Sequence, residues 1–274
     1  MQLSVSCRIA EGFLSKEEAI MTLPELCDLA TGAGYHGLCM RASQIGVHSL
    51  PEEVAAAAEL IEGRGLQVTM VSGDFPIVYN NDSGPDCLRK ITPYLDLAEQ
   101  LGAPLIRVCI KTEEDIVATQ RAADEAAERK LTLVHQCHCQ SLFETVDQIE
   151  HRLKQIDRPN FGLIYEAANL EECRQDYGPS SITRLAPWIR NVYLQNQRLD
   201  PSGALTLDTW TYGPSSFDII EIPDPRGIDF PSVFQGLKEM GYDGVVTVHQ
   251  SAPEDGSSPV ESAKMTADYL RTLI

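Results

Sequence analysis

The chain has 274 residues, 43% of them hydrophobic, a content and length that suit one large α/β domain with a sizeable core. Its formal net charge of −18 repels nucleic-acid phosphates and anionic membrane surfaces, so the expected partner is a small-molecule substrate, with a homo-oligomer left open. No apolar run approaches the ~20 residues of a membrane span, the first residues read as a strand and not as a basic leader, and cysteines in apolar segments suggest buried thiols, so the expected compartment is cytoplasmic.

The first predicted strand is Leu3 to Cys7, followed by a helix from about Glu17 to Thr31 that Gly32 and Gly34 stop. Strand two is Gly37 to Arg41. The next helix has Pro51 in its first turn, Glu52 and Glu53 opposing the dipole, and Val54, Ala58 and Ile61 on its buried face. Strand three is Gln67 to Val71. Pro85 to Leu101 reads as helical, with Leu88, Ile91, Leu95 and Ala98 on one face and Pro93 as a kink or restart. Strand four is Leu105 to Ile110, and Thr112 is placed as the cap of the helix that follows. Strand five is Leu131 to Gln136, after which Ser141-Leu142-Phe143-Glu144 has the capping-box pattern of a helix start. Strands six, seven and eight are Gly162 to Tyr165, Asn191 to Leu194 and Val245 to His249. Phe230 to Met240 forms a helix between the last two, and Pro259 opens the final one.

Eight strand–helix units in a row predict a single (β/α)8 TIM barrel spanning 1–274. The runner-up, an open doubly wound sheet, would place a Gly-rich phosphate loop after strand one, and Arg8-Ile9-Ala10-Glu11-Gly12 is not one. Three long connections, 73–86, 167–187 and 195–229, leave the C-terminal ends of strands, the catalytic face of such a barrel. The third carries Trp210, Tyr212 and Phe217 and is expected either to form a lid with aromatic faces for a sugar ring or to be a packed surface flap.

Alternation along strand five puts Thr132, Val134, Gln136 and His138 on the inner face and Leu131, Leu133, His135 and Cys137 against the helices. Neighbours in His135-Gln136-Cys137-His138-Cys139 therefore face opposite ways and do not close one zinc site. The same parity puts Glu166, Tyr193 and His249 at the last inward positions of strands six to eight. It puts Arg8, Arg41, Arg107 and Lys111 inward on strands one, two and four, with Arg198 just beyond strand seven. So many cations around one carboxylate suggest an anionic ligand held by guanidinium forks.

The chain resembles the xylose isomerase-like barrels, which include sugar isomerases and epimerases, hydroxypyruvate isomerase and the endonuclease IV group. The similarity spans nearly the whole chain. It is sharpest at Gly227-Ile228-Asp229-Phe230 and at Leu237-Lys238-Glu239-Met240-Gly241-Tyr242-Asp243-Gly244, and it is supported by Tyr35-His36-Gly37-Leu38 and Leu101-Gly102-Ala103-Pro104. The resemblance implies a divalent cation (Mn, Mg, Co or Zn), with Glu166, His249 and Gln136 as its ligands. The family's Glu-x-His on strand five reads Gln136-Cys137-His138 here, its Asp-x-x-His reads Glu166-Ala167-Ala168-Asn169, its His (or Gln), three residues before an Asp, reads Tyr193-Leu194-Gln195-Asn196, and its strand-eight Glu reads His249. Only Glu166 of these supplies formal charge, so the donor set is a weak one for a hard cation.

The resemblance implies a sugar isomerase or epimerase acting through an enediolate on a small, polyhydroxylated, anionic carbonyl substrate. Glu166 and His249 are the catalytic candidates. Arg8, Arg41, Arg107, Lys111, Gln136, His138, Tyr193 and Arg198 are the substrate-binding candidates. A non-catalytic barrel that binds a sugar acid or a partner protein is the second reading, and a lyase or dehydratase using the same enolate chemistry is the third. The endonuclease branch, which needs a rich zinc cluster and a basic face, is not expected.

Overall fold

The computed structural model describes residues 1–12, 18–72, 82–251 and 258–274. In chain order its strands are β1 (Gln2–Ser6), β2 (Gly37–Met40), β3 (Gln67–Val71), β4 (Leu105–Arg107), β5 (Thr132–Gln136), β6 (Phe161–Glu166), β7 (Ile189–Leu194), β8 (Gln197–Leu199), β9 (Leu205–Thr209), β10 (Gly213–Ile219) and β11 (Val245–Val248). Eight of them close in the order β1-β11-β7-β6-β5-β4-β3-β2, all parallel, and β1 pairs with both β2 and β11. This is a (β/α)8 TIM barrel. The other three, β8 to β10, form a separate antiparallel sheet inserted after β7.

Alternation divides the core in two. Leu133, Leu163 and Val246 face outward and join the large cluster under the helices. Cys39, Met70, Val134, Ile164 and Tyr193 face inward and fill the barrel. At the N-terminal rim, Gly37 lies so close to the next strand that a Cβ would stand 2.5 Å from the Gln67 carbonyl oxygen.

The helices are α1 (Leu23–Ala33), α2 (Pro51–Gly63), α3 (Asp86–Arg89), α4 (Thr92–Leu101), α5 (Asp115–Glu128), α6 (Val146–Ile156), α7 (Ala167–Glu172), α8 (Pro179–Leu185), α9 (Phe230–Glu239) and α10 (Pro259–Leu273). Their starts correct several expectations. The first helix begins at Leu23, not near Glu17, because Thr22 and Glu25 form a reciprocal capping box there. Residue 17 lies outside the described residues. Pro93 divides the expected helix over 85–101 into α3 and α4, since it has no N–H to continue the ladder and fits only a first turn.

Thr112 does not cap α5. Instead the Asp115 carboxylate folds back and accepts from the Lys111 and Thr112 amides at 2.9 and 2.8 Å. Ser141–Glu144 does not start α6 either: Thr145 and Gln148 form that box, because Glu144 is engaged elsewhere. β4 stops at Arg107 rather than Ile110. Among the described residues no helix is long and apolar enough to cross a membrane. All eight cysteines are buried free thiols.

Candidate functional site

Six polar side chains reach the barrel mouth because each sits at or just past a strand's C-terminal end. Arg8 lies in the 3-10 turn Cys7–Ala10 directly after β1, whose start is fixed by the Ser6 hydroxyl accepting from the Arg8 amide at 3.3 Å. Arg41 follows β2, Arg107 ends β4, Gln136 ends β5, Glu166 ends β6, and His249 follows β11. All six line one cavity of about 330 Å³, joined by His138, Cys139, Asn169 and Glu172. Leu205 and Leu207 of β9 and Phe217 and Ile219 of β10 supply a mostly apolar wall, which Thr206 of β9 completes. The volume falls in the range of small-ligand pockets.

The strand order makes the cavity electrically lopsided. Arg8, Arg41 and Arg107 occupy the arc from β1 to β4, and Gln136, Glu166 and Glu172 the arc from β5 to α7. Glu11 offsets part of the cationic arc, since its carboxylate accepts from Arg41 Nε at 2.7 Å, approaches Arg8 Nη1 at 3.5 Å and accepts from the Ser43 hydroxyl at 2.7 Å. One carboxylate shared by two guanidinium groups leaves excess positive charge. Burial, then repulsion from Arg41, pulls Arg8 down to about 10. Burial also opposes the Arg41 charge, but attraction to Glu11 outweighs it and holds Arg41 firmly protonated.

Four buried polar atoms on these arcs have no hydrogen-bond partner among the described residues: Arg41 Nη2, Arg107 Nε, Gln136 Oε1 and Glu172 Oε2. Two are donors and two are acceptors. Buried polar groups are nearly always paired in native proteins, so the four atoms have bonding capacity still to be filled. Gln136 Nε2 donates to Glu166 Oε2. Burial raises Glu166 to about 7 despite that bond and the nearby Arg107. Burial, reinforced by repulsion from Glu166, raises Glu172 to about 8. The two carboxyl groups therefore share fewer than two negative charges at neutral pH.

His249 is 7% exposed; its Nδ1 lies 3.1 Å from the Ser6 hydroxyl, and its ring stacks on Tyr193 at 4.0 Å and 12°. Tyr193 forms the floor beneath it rather than part of the cavity lining. Its phenol turns to Cys39 Sγ at 3.3 Å, and burial pushes its pKa well up. Lys111 likewise does not line the cavity; its ammonium lies 3.5 Å from Asp82 and 5.7 Å from the Trp210 ring centroid. Arg198 is 38% exposed at its side chain and pairs with Asp218 at 2.8 Å on the outer sheet. Those three expected ligand contacts are thus not brought to the cavity, whereas Arg8, Arg41, Arg107, Gln136, His138, Glu166 and His249 are. Of the aromatic residues in the 195–229 connection, Phe217 lines the cavity, while Trp210 and Tyr212 are exposed.

Glu11, Glu172 and Glu144 escaped the sequence reading. Glu11 and Glu172 lie in a turn and a helix, where strand parity has no bearing. The only sign of Glu11 was its place three residues after Arg8.

A divalent cation does not fit this donor set. The one carboxylate at the expected position has an amide N–H aimed at it, the phenol bonds a thiol, and three guanidinium groups face the same space. A second positive charge brought there would meet uncompensated like charge. Among the described residues no three His, Cys, Asp or Glu side chains gather as a metal-binding group.

Residues 27–273 match the family described as xylose isomerase-like TIM barrel. An inosose dehydratase of Geobacillus thermodenitrificans is 24% identical over 178 residues, 63% of this chain and 59% of that protein. An inosose dehydratase of Geobacillus kaustophilus is 27% identical over 157 residues, 56% of this chain and 50% of its own length, so the match spans only half or a little more of these curated relatives. The probable 3-DHS dehydratase AsbF of Bacillus anthracis superposes with a TM-score of 0.71 at 15% identity, covering 99% of both chains. A D-allulose 3-epimerase from Methylomonas sp. gives 0.70 at 15%, covering 100% of this chain and 98% of the other. A barrel from Mycobacterium smegmatis in complex with magnesium gives 0.69 at 14%, covering 92% and 87%. These structural likenesses establish the shared fold, and the metal is a property of that other protein. A closed eight-strand barrel with its polar cavity at the C-terminal mouth, matched over residues 27–273, makes this chain a member of the xylose isomerase-like TIM barrel family.

Proposed function

We propose that the cavity abstracts a proton beside a carbonyl group in a small, polyhydroxylated, anionic substrate, as a sugar isomerase or epimerase does. The observation that carries this reading is the set of unpartnered buried atoms. Arg41 Nη2 and Arg107 Nε call for a carboxylate or phosphate, Gln136 Oε1 calls for a hydroxyl donor, and Glu172 Oε2, on a carboxyl raised to about 8, can bond a hydroxyl as donor or acceptor. Glu166, held near 7 by burial, is matched to act as a general base at neutral pH. His249, fixed between Tyr193 and Ser6, is the second proton carrier. Arg107 and Arg41 stabilise the enediolate oxygen as charge develops, in a space where their attraction is little screened. Gln136 and His138 orient hydroxyls.

A dehydratase is the second reading, favoured by the curated relatives, both inosose dehydratases. The first step is the same. Glu172, protonated at neutral pH, then stands next to Glu166 as a donor to a departing β-hydroxyl. Reprotonation of carbon gives an isomer or epimer; loss of water gives a conjugated enone.

The test is incubation in D2O with keto sugar acids, uronates, cyclic polyhydroxy ketones and neutral ketoses, followed by NMR and by enone absorbance. Anionic substrates should exchange the proton next to the carbonyl, and Glu166→Gln should slow that exchange by ~10²–10⁴-fold. Tight binding without exchange, under any added metal, would instead identify a non-catalytic sugar-acid barrel. Preference for neutral sugars would remove the anionic part of the reading.

A further inference from the structure

Three of the four hydrogen bonds accepted by the Glu144 carboxylate come from one distant segment of the chain. Glu144 is 1% exposed and follows β5 by eight residues. One oxygen accepts from the Gln140 amide and the Trp210 amide, each at 2.7 Å. The other accepts from the Thr211 amide at 2.8 Å and the Thr211 hydroxyl at 2.6 Å. Trp210 and Thr211 form the turn between β9 and β10, outside the ladder that pairs these strands. Inside the turn, the Tyr212 amide donates to the Thr209 hydroxyl at 3.0 Å, and that hydroxyl donates to the Gly213 carbonyl at 2.9 Å. The turn is thus closed by its own residues and fastened to the barrel by Glu144. The same hairpin supplies the apolar wall of the cavity through Leu205, Leu207, Phe217 and Ile219.

We propose that Glu144 is a positioning residue, a clamp that holds the β9–β10 hairpin against the loop after β5 and thereby fixes one wall of the cavity. Charge-assisted bonds to two backbone amides and a hydroxyl are strong and directional, and a buried carboxylate without them is costly, so the hairpin tip and the barrel hold each other. Released from Glu144, the hairpin tip comes away from the barrel and the cavity opens on that side. The effect on ligand binding rests on the reading of the cavity as the ligand site; the clamp itself does not.

Backbone hydrogen exchange on the whole protein tests the clamp. A hairpin tip with no such tether exchanges close to the unprotected rate. In the wild type the Trp210 and Thr211 amides should be protected. In Glu144→Gln they should exchange roughly tenfold faster or more, with Leu133 and Val134 of β5 unchanged. Unchanged protection of the tip in that variant overturns the proposal. If β5 also loses protection, Thr211→Val decides, since it removes one contact without touching the barrel: faster exchange confined to the tip supports the clamp, and wild-type exchange overturns it. Inorganic phosphate titrated into both proteins reads the cavity. Weaker binding by Glu144→Gln is the expected result, and equal affinity overturns the link between clamp and cavity. No phosphate binding by the wild type counts against the anionic reading of the site and leaves the exchange result to judge the clamp alone.

Discussion

Glu166 carries opposite obligations. Buried at 1% exposure, its carboxyl is raised from 4.5 to about 7, mainly because burial penalises the anion. Unfolded, it ionises near its ordinary value. Between those two values the folded chain binds more protons than the unfolded one, so stability is fully present below about 4.5 and falls as pH rises through 7. Glu172, at about 8, adds in the same direction. Glu166→Gln removes the ionisation and should melt higher than wild type at pH 8, with the gap closing at pH 5, while turnover is lost; a melting difference independent of pH would contradict this. Turnover by the wild type should rise with pH through about 7, as the base form appears. Parity made Arg107, Gln136 and Glu166 legible from sequence, because each is the last residue of an alternating strand; Arg8, Arg41 and His249 stand one or two residues past their strands and still line the cavity. Lys111 was misplaced because β4 stops at Arg107 and the chain beyond it no longer alternates.

Helix starts show the limit of local patterns. Both Ser141-x-x-Glu144 and Thr145-x-x-Gln148 satisfy the capping rule, and the chain uses the second. What decides between them is a turn 66 residues away that takes the Glu144 carboxylate, and no window on the sequence sees that contact. Replacing Thr145 with Ala should therefore cost about 1 kcal/mol of stability in a urea titration, the usual worth of such a cap. No change would mean that α6 is held by packing alone. The insertion after β7 was hidden for a related reason. Its strands pair in register with one another, Phe217 opposite both Leu199 and Leu205, but β8 and β9 are short and β10 opens with Gly213-Pro214-Ser215-Ser216, which reads as loop.

At the scale of the molecule, eight repeated strand–helix units made the closed barrel legible, since few other architectures use that many parallel strands in sequence order. The cation-lined mouth within so acidic a chain was read from strand placement, and of the five Arg and Lys residues expected there Arg8, Arg41 and Arg107 line it. Sulfur gives this architecture an internal gauge. Burial raises the pKa of all eight thiols, yet Cys139 borders the cavity. A small aromatic disulfide reagent should modify Cys139 first and more slowly when an anion fills the mouth. The remaining cysteines should react only as fast as the ring of strands comes apart, so their labelling rate is a clock for the opening of the whole barrel, readable without any substrate in hand.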